Sequence, residues 1–228
     1  MKRLIVIGGS RGIGSAIIKA SLSVYDEIVN ISRTAPEVNH ANVTHYTCDI
    51  LKDDLPDIAS ADGLVYCPGS INLKPINRLS LEDFRTDFEI NVLGAVKAIQ
   101  HYIPALKTGS KPSIVLFSTV AAKLGMPFHA SVAASKSAIE GLTKSLGAEL
   151  APTIRINAIA PTVTDTDLAS KLLRNDRMME QMKERHPLKK YLQPEEVAQM
   201  AAFLLSDAAA SQSGQVFEMD CGIVSFKL

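Results

Sequence analysis

Short unbroken apolar runs recur along the chain, separated by longer stretches in which apolar residues return every three or four positions. The runs fall at residues 4–7, 27–31, 43–47, 63–66, 113–117, 155–159 and 215–218 and predict seven strands. The three-to-four periodicity is clearest over residues 83–102, 131–150 and 194–205, and a further helix starts just after Gly14. Strands that stay apolar at consecutive positions are buried on both faces. Their alternation with helices therefore predicts one α/β domain over residues 1–228, built on a doubly wound parallel sheet. Only residues 34–42 join the second and third strands, which leaves almost no room for a helix there. Ligands of such sheets bind beyond the carboxyl ends of the strands, and the unusual residues of this chain cluster at those ends.

The first strand runs straight into Gly8-Gly9-Ser10-Arg11-Gly12-Ile13-Gly14, and helical pattern resumes at Ser15-Ala16-Ile17-Ile18. Strand, glycine-rich turn and helix in that order make a phosphate cradle. The glycines let backbone approach a diphosphate, and the helix start offers free N–H groups and the positive end of its dipole. A dinucleotide cofactor is the expected ligand.

Composition narrows the remaining classes. Lys plus Arg and Asp plus Glu number 24 each, so there is no global field to attract nucleic acid or an anionic membrane. Of the residues, 46% are hydrophobic, yet no apolar run approaches the length of a membrane span. The first strand begins almost at Met1 and leaves no room for a signal peptide. Cys48, Cys67 and Cys221 are odd in number and far apart, which predicts free thiols in a reducing cytoplasm and neither a disulfide frame nor a metal site.

From Met1 to about Gly222 the chain resembles the short-chain dehydrogenase/reductase family. The glycine turn fits that family's TGxxxGxG pattern, with Ile7 where threonine is usual. Asp49 and Ile50 follow the third strand where the family meets the adenine ring. Tyr66-Cys67-Pro68-Gly69 replaces the family's NNAG turn and keeps its glycine. Asn91, Lys136, Asn157, Pro161 and Thr166 match later landmarks, as do Pro194-Glu195-Glu196-Val197 and Asp220-Cys221-Gly222. The resemblance implies a Rossmann-type sheet and an oxidoreductase using a nicotinamide cofactor. Gly8, Ser10, Arg11, Gly12, Ile13, Gly14, Arg33, Asp49, Ile50, Gly69, Asn91, Lys136, Pro161 and Thr166 would form the cofactor site. Arg11 and Arg33 stand where cofactor choice is made, and arginine there accommodates a 2′-phosphate, so NADP(H) is favoured over NAD(H), with Ser32 as an added hydroxyl.

One departure stands out. The family's catalytic motif is YxxxK, and the position four before Lys136 is Val132, which cannot donate a proton. The family's serine position is Thr119, whose hydroxyl can still hydrogen-bond a carbonyl. His129 lies seven residues before Lys136, the separation at which the family's enoyl-reductase branch carries its tyrosine, and imidazole has a reference pKa near ~6.5. Asn91, Thr119, His129 and Lys136 are thus the candidate catalytic set. Ser131 and Ser135 on the same segment, and Tyr66 and Cys67 at the end of the fourth strand, are other candidates. Three readings follow. The first is an NADP(H)-dependent carbonyl reductase acting on a small molecule such as a 3-oxoacyl thioester of CoA or of an acyl carrier protein. The second is an enoyl or dienoyl thioester reductase using His129, and the third a non-catalytic nucleotide-binding protein.

Residues 165–192 would form a lid over the substrate. They carry Met178, Met179 and Met182 for an adaptable apolar wall and a basic set in Lys171, Arg174, Arg177 and Lys183. The family resemblance also implies pairing of the helices that bear Asn91 and Lys136, giving a homotetramer or at least a homodimer.

Overall fold

The computed structural model describes residues 1–225. The seven expected strands form one parallel sheet: β1 Arg3–Ile7, β2 Glu27–Ser32, β3 Val43–Thr47, β4 Gly63–Tyr66, β5 Ser113–Phe117, β6 Arg155–Pro161 and β7 Val216–Met219. Their order is β3-β2-β1-β4-β5-β6-β7, so the chain reverses direction of travel between β1 and β4. That reversal opens a crevice at the carboxyl ends of the central strands. This is a single α/β domain of Rossmann type.

Helices cover both faces. α1 Gly12–Ser21 and α6 Pro194–Leu205 pack on one side, over a core that includes Leu4, Val6, Ile28 and Val115. On the other side lie α2 Leu81–Phe88, α3 Gly94–Lys107 and α4 Ala130–Leu150, against Ile5, Ile7, Leu64 and Ile114. A short helix, α5 Asp176–Arg185, belongs to the segment before α6. Alternate residues of β1 feed the two cores, as the two-residue strand period requires. No helix forms between β2 and β3.

The helix expected over residues 83–102 is longer and is not continuous. It runs from Leu81 to Lys107 and is interrupted at Glu89–Leu93 by one π turn, in which the Gly94 N–H reaches back to the Glu89 carbonyl. The reason is side-chain competition for carbonyls. The Asn91 carboxamide donates to the Asp87 carbonyl at 2.8 Å, and the Tyr66 hydroxyl donates to the Ile90 carbonyl at 2.6 Å. Gly94 makes the second bond possible, because a Cβ there would lie 2.1 Å from the Tyr66 hydroxyl. Such π turns widen a helix locally and re-aim its side chains.

Candidate active site

β1 delivers the glycine turn to the crevice. Gly14 must stay glycine, since a Cβ there would lie 2.3 Å from the Gly8 carbonyl oxygen. Arg11 occupies the N-cap of α1 without a side-chain cap, so the first N–H groups of the helix are left for a ligand. Buried in β2, Asn30 braces the turn from behind, accepting the Gly9 N–H at 3.0 Å and donating to Ser32 Oγ at 2.9 Å. Ser32 in turn donates to the Thr34 carbonyl. Thr166 closes the front, its Cγ2 3.2 Å from where a Gly12 Cβ would stand. Ser10 is half-buried, and its carbonyl accepts the Glu37 N–H.

The two arginines differ. Arg33 is exposed at the end of β2 and makes no ion pair among the described residues. Arg11 is paired with Asp167 at 2.8 Å, and this hydrogen bond raises its pKa further above the ordinary arginine value. After β3, Asp49 accepts the Leu51 N–H at 3.1 Å, and Ile50 is buried.

A cleft opens beyond β4, β5 and β6. Its wall is mostly apolar, with Met126, Val132, Leu168 and Leu172 among its lining, while Gly69, Asn91, Thr119, His129, Lys136 and Pro161 supply the polar end and its surroundings. The four candidate catalytic residues therefore share one cavity. Ile13 and Thr166 line it too, which joins it to the glycine turn.

Each polar group has a defined state. Lys136 Nζ donates to the Phe117 carbonyl at 2.9 Å, and desolvation lowers its pKa to about 8. The Asn91 carboxamide spends both amide hydrogens, on the Asp87 carbonyl and on Ser70 Oγ at 3.2 Å, and its buried Oδ1 has no partner. Measured from the Cβ that Gly69 lacks, that Oδ1 lies at 3.1 Å and Lys136 Nζ at 3.6 Å, so the two flank the same turn. Thr119 Oγ1 accepts the Ala121 N–H, which leaves its own proton for a ligand. Ser118, its neighbour, is held by Glu140 at 2.8 Å.

Val132 is buried in the cleft wall at the position where the YxxxK motif would carry a tyrosine. His129 does not begin the helix. α4 starts at Ala130, and His129 is its N-cap, with its carbonyl accepting the Ala133 N–H. Its Nδ1 lies 2.8 Å from the Pro127 carbonyl, which makes Nδ1 the protonated nitrogen and leaves Nε2 free. Ser131 and Ser135 bond away from the cleft, to Asp87 and to the Ser131 carbonyl. Tyr66 packs under the π turn, and burial pushes its pKa well above the ordinary tyrosine value. Cys67 lines the cleft, and burial raises its thiol to about 12. All three cysteines are free.

Sequence reading passed over Asp87, which is fully buried directly behind Asn91. A signal was present. Phe84, Asp87, Asn91, Ala95 and Ala98 recur at the spacing of one helix face, and a carboxylate on a face otherwise uncharged and mostly apolar is unusual.

The geometry fits a nicotinamide dinucleotide: a cradle of uncapped helix N–H groups, an orphaned buried amide oxygen and a lysine beside it. Comparisons with known proteins agree. A family model described as Enoyl-(Acyl carrier protein) reductase matches residues 27–224. A 2,5-dichloro-2,5-cyclohexadiene-1,4-diol dehydrogenase of Sphingobium indicum is 30% identical over 246 residues, covering 98% of this chain and 97% of that one. A 3-oxoacyl-[acyl-carrier-protein] reductase of Synechocystis is 30% identical over 97% of this chain and 96% of its own length. Among solved structures, a short chain dehydrogenase family protein of Francisella tularensis superposes with a TM-score of 0.89 at 27% identity, covering 99% of this chain and 100% of that one. With a glycine cradle, an Asn91–Lys136 pair and relatives matched along nearly its whole length, the chain belongs to the short-chain dehydrogenase/reductase family and is an oxidoreductase of that family.

Proposed function

We propose that the protein is an NADP(H)-dependent reductase of a carbonyl on a largely apolar small molecule, with 3-oxoacyl thioesters as the first substrate class to test. The observation that carries this reading is the shared cleft, apolar along its wall and polar where Asn91, Thr119, His129 and Lys136 meet. When bound, a nicotinamide cofactor would supply the hydride. The Thr119 hydroxyl donates a hydrogen bond to the carbonyl oxygen and polarises it. When it acts as the acid His129 carries both ring protons: Nδ1–H stays on the Pro127 carbonyl, and Nε2–H passes its proton to the oxygen that gains charge, leaving a neutral imidazole. Lys136 would hold the ribose hydroxyls beside Gly69, and Asn91 Oδ1 would accept from a water or a hydroxyl there. Arg33 and Arg11 would hold the 2′-phosphate, and for Arg11 this would mean leaving Asp167. The relatives that support this chemistry include the 3-oxoacyl reductase above and a carbonyl reductase [NADPH] 2 of pig.

Residues 165–192 act as the lid, with Leu173, Met182 and Tyr191 packed in a small core of their own. Exposed Phe88 and Leu93 with Ala134 line a shallow groove on α2 and α4, the surface through which copies of the chain would pair. Light scattering should then exceed the 24.6 kDa of one chain, and a stable monomer counts against pairing. None of the described helices is long and apolar enough to cross a membrane.

Reduction of an enoyl thioester is the second reading, favoured by His129 in the cleft and by valine at position 132. A panel of 3-oxoacyl and 2-enoyl thioesters with NADPH and NADH, followed by nicotinamide absorbance, separates the readings. Turnover of the 3-oxoacyl set with NADPH is expected. Turnover of only the 2-enoyl set selects the second reading. Failure of every thioester, with cofactor bound, leaves the third reading, a protein that binds the nucleotide without reducing these substrates.

A further inference from the structure

Asp87 is the one fully buried carboxyl group in the described chain beside the cleft, and no cation pairs with it directly. Three donors surround it instead. Ser70 Oγ lies 2.6 Å and Asn72 Nδ2 2.9 Å from Oδ1, and Ser131 Oγ lies 2.6 Å from Oδ2. The two serine distances are those of charge-assisted O–H···O⁻ bonds. The donors come from separate parts of the chain: Ser70 and Asn72 follow β4, whereas Ser131 is in the first turn of α4 between His129 and Val132. A buried carboxylate is costly unless its lone pairs are filled, and an apolar side chain would suit this helix face better for stability alone.

The bonds also have a fixed direction. Ser70 Oγ accepts from Asn91 Nδ2, so its own proton is committed to Asp87. The second Asn91 hydrogen goes to the Asp87 carbonyl. The amide therefore cannot turn over, and its bare Oδ1 stays on the Gly69 side. We propose that Asp87 is a positioning residue of the active site: its carboxylate ties the turn after β4 and the start of α4 to the π turn, holds the Asn91 amide in one orientation and sets the electric field at Lys136. This rests on the proposed reading in so far as Asn91 and Lys136 serve the reaction.

The groups around Lys136 are few. Cys67 stays a neutral thiol at working pH, Glu140 lies one turn further along α4 and accepts from Ser118, and His129 lines the same cleft seven residues before Lys136. Asp87 is a negative charge that favours the Lys136 ammonium against desolvation.

The test is an NMR titration of protein labelled at the lysine side-chain nitrogens, with Lys136→Arg used only to assign the signal, alongside NADPH binding by fluorescence. Asp87→Asn keeps shape and removes charge, and is expected to move the Lys136 midpoint down by roughly one pH unit. Ser131→Ala removes one donor and leaves the charge, so its midpoint should stay with the parent. A midpoint in Asp87→Asn equal to that of the parent overturns the proposal, since a purely structural residue would not move it. If Asp87→Asn does not fold, Ser70→Ala decides: the Asn91 side-chain amide signals should shift and NADPH binding weaken several-fold, and no change in either overturns it. A parent protein that binds neither NADPH nor NADH defeats the functional reading, while the lysine midpoint still tests this one.

Discussion

The two ends of the cleft are built in opposite ways. The glycine turn is seven consecutive residues, Gly8 to Gly14, braced by one buried side chain, Asn30. The catalytic end draws on four distant segments, contributing Gly69 and Ser70, Asn91, Thr119, and the His129–Lys136 stretch. The first is a local structure whose shape is set by short-range sterics. The second exists only when β4, β5, the π turn and α4 are packed together. A change at the first end should therefore act at once and completely, and changes at the second should be graded and coupled.

The sharpest test of that contrast is Gly14→Val. A side chain at Gly14 collides with the Gly8 carbonyl at any rotamer, so NADPH and NADH binding should be lost altogether, read by fluorescence titration. Retained affinity would mean that the turn can rearrange and is not rigidly local.

Next in size is His129→Ala, expected to reduce turnover by about 10²–10⁴-fold with NADPH affinity nearly unchanged, because it removes a proton donor and no cofactor contact. The complementary change, Val132→Tyr, should raise ketone reduction by restoring a hydroxyl on the cleft face of α4. Steady-state kinetics on one 3-oxoacyl thioester measures both. An inert His129→Ala would transfer the proton step to another group.

Arg33→Ala should weaken NADPH by roughly 10- to 100-fold and leave NADH alone, as expected of a lost charge-assisted phosphate contact. Equal losses for both cofactors would place Arg33 elsewhere in the site. The smallest effect is that of pH. Lys136 titrates at about 8, so its ammonium is intact below that value and is lost as pH rises through it. Cofactor affinity should decline a few-fold between pH 7 and pH 9, and a flat profile in binding experiments would separate Lys136 from cofactor binding.

Residue pattern alone was enough for the seven parallel strands and the glycine cradle. Both depend on interactions within a few residues: consecutive apolar positions imply two buried faces, and glycines between a strand and a helix imply a close backbone turn. Family spacing likewise marked Asn91, Thr119, His129 and Lys136, and the structure lines one cavity with all four. The π turn was not legible, because periodicity over residues 81–107 is helical throughout. One of its two causes, the Tyr66 hydroxyl on the Ile90 carbonyl, comes from a strand 24 residues away. The helix-face spacing of Asp87 is legible in the sequence, but its partners are not. In sequence it is one acidic residue on a helix, and only packing surrounds it with Ser70, Asn72 and Ser131. The exposed Arg11 looked free to meet a phosphate, whereas tertiary structure brings Asp167 to it from 156 residues away. Local sterics and burial pattern thus determined the sheet and the cradle from the sequence itself. The orientation of each polar side chain in the cleft was decided by the tertiary structure, because a hydrogen-bond partner distant in sequence leaves no local trace.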